Sequence, residues 1–165
     1  MLPHHRFRVG PYSIDRPGAP TSLADVEAAL GRDNTCTGKF GEATVRWPRL
    51  GLRGEFATLG GFSDADGQPI TDGSATGCSH RDQIQVFTLT ASAPGWHTGE
   101  GLRVGDPLQR LLDLYPRAQQ QDAQVWWLHT YRSPFGDRSQ QPDMTARVSG
   151  DTVRSITVII GAQGE

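Results

Sequence analysis

Apolar residues recur along this chain with two periods. In "DPLQRLLDLYP" Leu108, Leu111, Leu112 and Tyr115 fall at i, i+3, i+4 and i+7, the single stripe of a helix lying on another layer. Asp106 is placed to cap it, Pro107 occupies the first helical position, and Gln109 stands where a capping-box partner belongs. Pro116 ends it, and "LRVG" just before reads as a strand end and a turn. The same order occurs earlier in "YSIDRPGAPTSLADVEAALG": Thr21 or Ser22 caps, Leu23, Val26 and Leu30 form the stripe, and Gly31 stops the helix. Leu23, Val26 and Leu30 coincide with Leu108, Leu111 and Tyr115 at a shift of about 85 residues, which suggests a tandem repeat.

Period-two runs follow each helix. After the first come "EATVRWPRLG", "LRGEFATLG" and "DQIQVFTLTAS"; after the second come "QVWWLHTYR", "MTARVSG" and "TVRSITVII". The pattern predicts one α+β domain over residues 1–165. It would consist of two tandem repeats, about 10–95 and about 96–162, each a helix plus a three-stranded antiparallel meander, with the helices packed on one face of the sheet. Trp96, after Pro94 and Gly95 at the junction, reads as a plug between the halves.

Alternation then assigns faces. The inner set is Val45, Trp47, Leu52, Phe56, Phe87, Leu89, Trp126, Leu128, Met144, Ala146, Val148, Ile156, Val158 and Ile160. The opposite face carries Arg46, Arg53, Glu55, Trp127, His129, Tyr131, Arg147 and Arg154, an arginine-rich and aromatic set. Trp, Tyr and Arg dominate interface hot spots, so Trp127, His129, Tyr131, Arg46, Arg53, Arg147 and Arg154 are the candidate partner-binding residues.

Composition narrows the partner. With 36% apolar and 21% charged residues the chain lies within the folded regime. A net charge of −2 supplies no bulk attraction for nucleic acid or an anionic membrane, and no run approaches the ~18 apolar residues a membrane helix needs. Lys39 is the only lysine among sixteen basic residues, so the basic chemistry is almost wholly arginine, which favours planar and bidentate contacts.

Cys36 and Cys78, the only cysteines, lie in Gly/Thr/Ser-rich turns, "NTCTGKFG" and "SATGCSHRD". That setting suits a loop-to-loop bridge better than a zinc site, which needs four ligands at tighter spacing; two unpaired buried thiols are the alternative. A bridge of this span contributes about 4 kcal/mol in the chain-entropy model and implies an oxidising compartment. The beginning of the chain has no signal-peptide core, which fits cytosolic residence or a mature chain whose leader has been removed; with the bridge, the expectation is an extracytoplasmic protein whose leader is absent from this sequence.

Catalytic and ligand motifs are not found. The five histidines, His4, His5, His80, His97 and His129, lack metal-site spacing; His4 and His5 read as a terminus and His80 as part of a solvated loop. "SDADGQPITDG" places Asp64, Asp66 and Gly67 like part of a calcium loop, but its first carboxylate and closing glutamate are missing, so it reads as a polar hairpin connection. There is no nucleophile elbow. The glycines of "GEGLRVGDP" precede a helix whose capping Asp106 would repel a phosphate. No cofactor or metal is expected.

The element "LRVGDPLQRLLDLYP" resembles the repeated unit of the β-lactamase inhibitory protein family and of the related BamE-type outer-membrane assembly lipoproteins. "VEAALGRDNTCTGKFGEA" is similar to the post-helix segment of the inhibitory proteins. The resemblance spans roughly residues 10 to 160 and implies the tandem fold found in secreted actinobacterial proteins; it carries over no residue role.

The expectation is therefore a non-enzymatic extracytoplasmic module, a monomer, that binds or inhibits a protein or peptide through the arginine and aromatic sheet face. The rivals are a small hydrolase with His97 or His129 as base in a cleft between the repeats, and a structural role in envelope assembly.

Overall fold

The computed structural model describes residues 9–10, 13–14, 21–132 and 139–160. His4, His5 and the segment 133–138 lie outside the described residues. The strands are β1 (Val9–Gly10), β2 (Ser13–Ile14), β3 (Thr35–Thr37), β4 (Glu42–Trp47), β5 (Leu52–Ala57), β6 (Phe62–Ser63), β7 (Pro69–Ile70), β8 (Gln85–Ala91), β9 (Gln119–Gln120), β10 (Val125–Arg132), β11 (Gln140–Ser149) and β12 (Thr152–Ile159). Two helices, α1 (Leu23–Leu30) and α2 (Leu108–Leu114), and a 3-10 turn at Pro48–Leu50 complete the described elements.

Eight strands form one antiparallel sheet in the order β3-β4-β5-β8-β12-β11-β10-β9. This overturns the expected pair of helix-plus-three-stranded repeats. The structure is mostly β, 45% strand against 13% helix, and each half contributes four strands to a common sheet joined at β8 and β12. Separate two-stranded ribbons, β1–β2 and β6–β7, lie outside that sheet. The physical reason is strand length: β3 and β9 are three and two residues long, too short to display alternation, yet each hydrogen-bonds at an outer edge of the sheet. Edges this short also limit pairing with other chains.

The helix starts are made differently. Ser22 caps α1, its hydroxyl accepting the Asp25 N–H at 3.1 Å, and Gly31 at φ 87° closes it. Asp106 does not cap α2. Its carboxylate accepts the Arg103 N–H at 2.8 Å, tightening the preceding turn, and Pro107 is the capping residue without a side-chain bond.

One apolar cluster holds both halves together, from Val45, Trp47 and Phe56 to Met144, Ile156 and Val158, with Leu23, Val26 and Leu111 of the helices. Trp96 is buried in it, and its indole N–H donates to the Leu50 carbonyl at 2.6 Å. Trp47 similarly donates to the Gly31 carbonyl at 2.9 Å. Strict alternation misplaces one residue of the inner set. A bulge where β5 meets β8, between the Glu55 and Phe56 pairs, turns Val86 inward and leaves Phe87 on the surface.

Cys36 and Cys78 form a disulfide with Cα atoms 5.8 Å apart, tying edge strand β3 to the loop before β8. The "SDADGQP" segment is a hairpin connection: Asp64 accepts the Asp66 and Gln68 N–H groups at 2.9 and 2.8 Å. No helix among the described residues is long and apolar enough to cross a membrane.

Candidate functional site

The face of the sheet opposite the apolar cluster is built from transverse rows. Successive cross-strand partners run Thr35, Arg46, Arg53, Thr90, Thr157, Thr145, Trp127 and Gln119, one residue from every strand. The centre of the row is threonine, and the Thr90 and Thr157 hydroxyls hydrogen-bond at 2.9 Å. Arginine and tryptophan flank that centre. Arg46 and Trp127 stand five strands apart, about 24 Å at ordinary strand spacing, so the proposed binding residues form two clusters.

In the β10 cluster the polar groups are already engaged. His129 Nδ1 lies 2.6 Å from Oδ1 of Asp143, a residue only 7% exposed. Arg147 donates to Gln124 Oε1 from Nε and Nη2 at 3.0 and 2.8 Å. Asp122, in the turn before β10, accepts the Gln124 and Val125 N–H groups, which together with the nearby Arg147 charge hold its carboxyl below the usual range. Trp127 and Tyr131 are half-buried along the same strand. Arg154 occupies a bulge of β12 and donates to the Ser149 carbonyl at 3.3 Å, so it serves the β11–β12 turn. His97 Nδ1 lies 2.9 Å from the Thr98 carbonyl oxygen.

The other cluster opens onto a groove of about 590 Å³ at the β3 end of the sheet. Thr37, Glu42, Thr44 and Glu55 line it from the strands, Lys39 and Phe40 from the β3–β4 turn, and Phe87 from β8. Backbone geometry forces the turn outward. A Cβ on Gly38 would stand 2.2 Å from the Glu42 carbonyl oxygen, so only glycine permits this approach. Phe40 then adopts φ 56°, a left-handed conformation costly for a bulky residue, with its ring 76% exposed. Phe87 reaches the groove because of the β8 bulge.

Among the described residues the large apolar side chains left exposed are Phe40, Leu59 and Phe87. All three belong to this corner. Phe40 and Phe87 line the groove, and the turn carrying Leu59 is tied to the Phe40 turn by the Thr58 N–H, which donates to the Gly41 carbonyl at 2.9 Å. Sequence reasoning selected Arg46 and Arg53 here and missed Phe40, Leu59 and Phe87. The available signal was "GKFG", an aromatic residue beside the only lysine between two glycines.

Charges at the groove largely cancel. Arg53 pairs with Glu55, and Lys39 and Glu42 lie together at the far end. Arg46, directly opposite Arg53, makes no ion pair among the described residues. Threonine hydroxyls, phenyl rings and one uncompensated guanidinium suit recognition; among the described residues no group of three or more metal-ligating side chains gathers.

No protein-family model matches the chain, and no curated protein or solved structure is significantly similar to it.

Proposed function

We propose that this protein is a non-enzymatic binding module that takes a protein partner at the groove end of its open sheet face, outside the cytoplasm. The observation that carries the reading is the gathering of Phe40 and Phe87 in the groove, with Leu59 on the adjoining turn: among the described residues these three are the exposed large apolar side chains. Apolar clusters rimmed by polar residues mark interaction sites. Phe40 is held in a left-handed conformation, which costs stability, with most of its surface exposed. The disulfide is compatible with an oxidising, extracytoplasmic setting.

The test is site-specific photo-crosslinking in the native host. A photoreactive residue at Thr44, on the groove wall, should give a discrete adduct with another protein that disappears when Phe40→Ser and Phe87→Ser are combined. The same probe at Gln120, on the opposite edge, should not give it. Absence of an adduct from Thr44, or equal adducts from both positions, would overturn the reading.

A hydrolase reading is favoured by one observation, the short contact of His129 with the buried Asp143, since a carboxylate-oriented imidazole is half of a nucleophile-activating system. Turnover of any ester or amide in a substrate panel, abolished by His129→Ala, would establish it in place of the binding module.

A further inference from the structure

Resting on the groove as the docking site, we propose that the segment it takes is an extended acidic peptide: a large apolar side chain in the groove and, two residues away, a carboxylate on Arg46. The spacing comes from β4. Glu42, Thr44 and Arg46 alternate onto the open face, and Thr44 lines the groove. Arg46 is therefore two residues further along the strand, about 7 Å. An extended chain laid over the open face, parallel to β4, repeats the side chains on its sheet-facing side at that same interval, so the anchor and the carboxylate fall in register with the groove and the guanidinium.

The charge comes from what remains unpaired. The Arg53–Glu55 pair is internally neutral, and Lys39 and Glu42, of opposite charge, both line the groove at the turn end. Arg46 is exposed, stands across from another arginine, and has no acidic partner among the described residues. Like charges directly opposite one another destabilise a sheet, and a ligand carboxylate reaching Arg46 relieves that repulsion. One unpaired guanidinium beside the groove, on a chain of net charge −2, suits one carboxylate and does not suit a polyanion. The phenyl rings of Phe40 and Phe87 supply the walls for an aromatic or large aliphatic anchor.

The experiment selects random dodecapeptides displayed on phage against the disulfide-intact chain. It counter-selects on the Phe40→Ser/Phe87→Ser double variant, whose unchanged thermal unfolding shows that it is folded. Winning peptides are synthesised and titrated calorimetrically. The expected winners carry Asp or Glu two residues from Phe, Trp, Leu or Ile, and Arg46→Gln weakens them about fivefold, the scale of an exposed ion pair. Groove-dependent winners without a carboxylate, or indifferent to Arg46→Gln, overturn the acidic assignment and leave the docking site standing. A carboxylate consistently three or four residues from the anchor overturns the extended conformation in favour of a helix. Winners that bind the double variant equally well, or no winners at all, overturn the peptide proposal together with the groove reading.

Discussion

Arg46 and Arg53 face each other as direct cross-strand partners in β4 and β5, two like charges in register. Only Arg53 has a carboxylate neighbour, Glu55. In the isolated fold Arg46 is therefore a local liability. Arg46→Thr should raise stability by up to about 1 kcal/mol, the range of cross-strand pair effects. Arg53→Thr relieves the same repulsion but strips Glu55 of its partner, so its gain should be smaller or negative. Urea unfolding of both variants checks this; equal effects would show that the repulsion is not felt.

Glu27 is the best-buried carboxylate of the described chain, and it fastens α1 to the segment before β8. Its side chain is 2% exposed; it pairs with Arg81, accepts from Arg32 at 3.0 Å, and accepts from Asn34 at 3.0 Å. Breaking a buried pair from one side leaves an uncompensated charge. Arg81→Ala leaves Glu27 with only the exposed Arg32 guanidinium and the Asn34 amide, and should cost up to about 3 kcal/mol. Replacing both members, Glu27→Met with Arg81→Met, should recover most of that loss, because no buried charge then remains. A double variant as unstable as Arg81→Ala alone would assign the loss to packing and refute the electrostatic account.

The burial of individual positions was legible in the residue pattern, the arrangement of the strands was not, and the misreadings share a cause. Leu23, Val26 and Leu111 lie buried on their helices as the stripe requires, and Val45, Trp47, Leu89 and Ile156 are buried on their strands. Cys36 and Cys78 pair as their turn settings suggested. Alternation fails where the backbone breaks it: Phe87 was placed inside because a bulge cannot be read from polarity, and the same bulge carries it to the groove. Asp106 has the chemistry of a cap but spends its carboxylate on the turn below. The edge strands β3 and β9 are too short to have a period, so four strands from each half, in place of the expected three, were hidden. At the site, Arg46 and Arg53 were found by facing, whereas Phe40 depends on a glycine-enforced turn that only the backbone shows.

The disulfide supports the groove wall as well as the fold. Cys36 is the middle residue of β3, whose only paired neighbour in the sheet is β4, and Cys78 lies 42 residues away. Replacing both cysteines by alanine should cost up to about 4 kcal/mol by releasing the unfolded chain. Reduction of the native protein should lower the unfolding midpoint by the same amount, and reductant should leave the double variant unchanged. A native midpoint insensitive to reductant would remove the bridge from the account of stability.

Asp122 gives the β9–β10 turn a defined acid sensitivity. Its carboxyl is lowered by the Gln124 and Val125 N–H donors, then by the Arg147 charge. The folded value is below that of the unfolded chain, about 3.9. The stabilisation is therefore present in full above the unfolded value and is lost as pH falls through the folded one. Asp122→Asn keeps a side-chain acceptor but removes the charge, so it should be less stable than the native protein at neutral pH. The gap should narrow from roughly pH 5 downward and close once both forms of the native carboxyl are protonated. Unfolding free energies of the two proteins across that range decide the matter, and a gap that stays constant with pH would show that the charge of Asp122 contributes nothing to the turn.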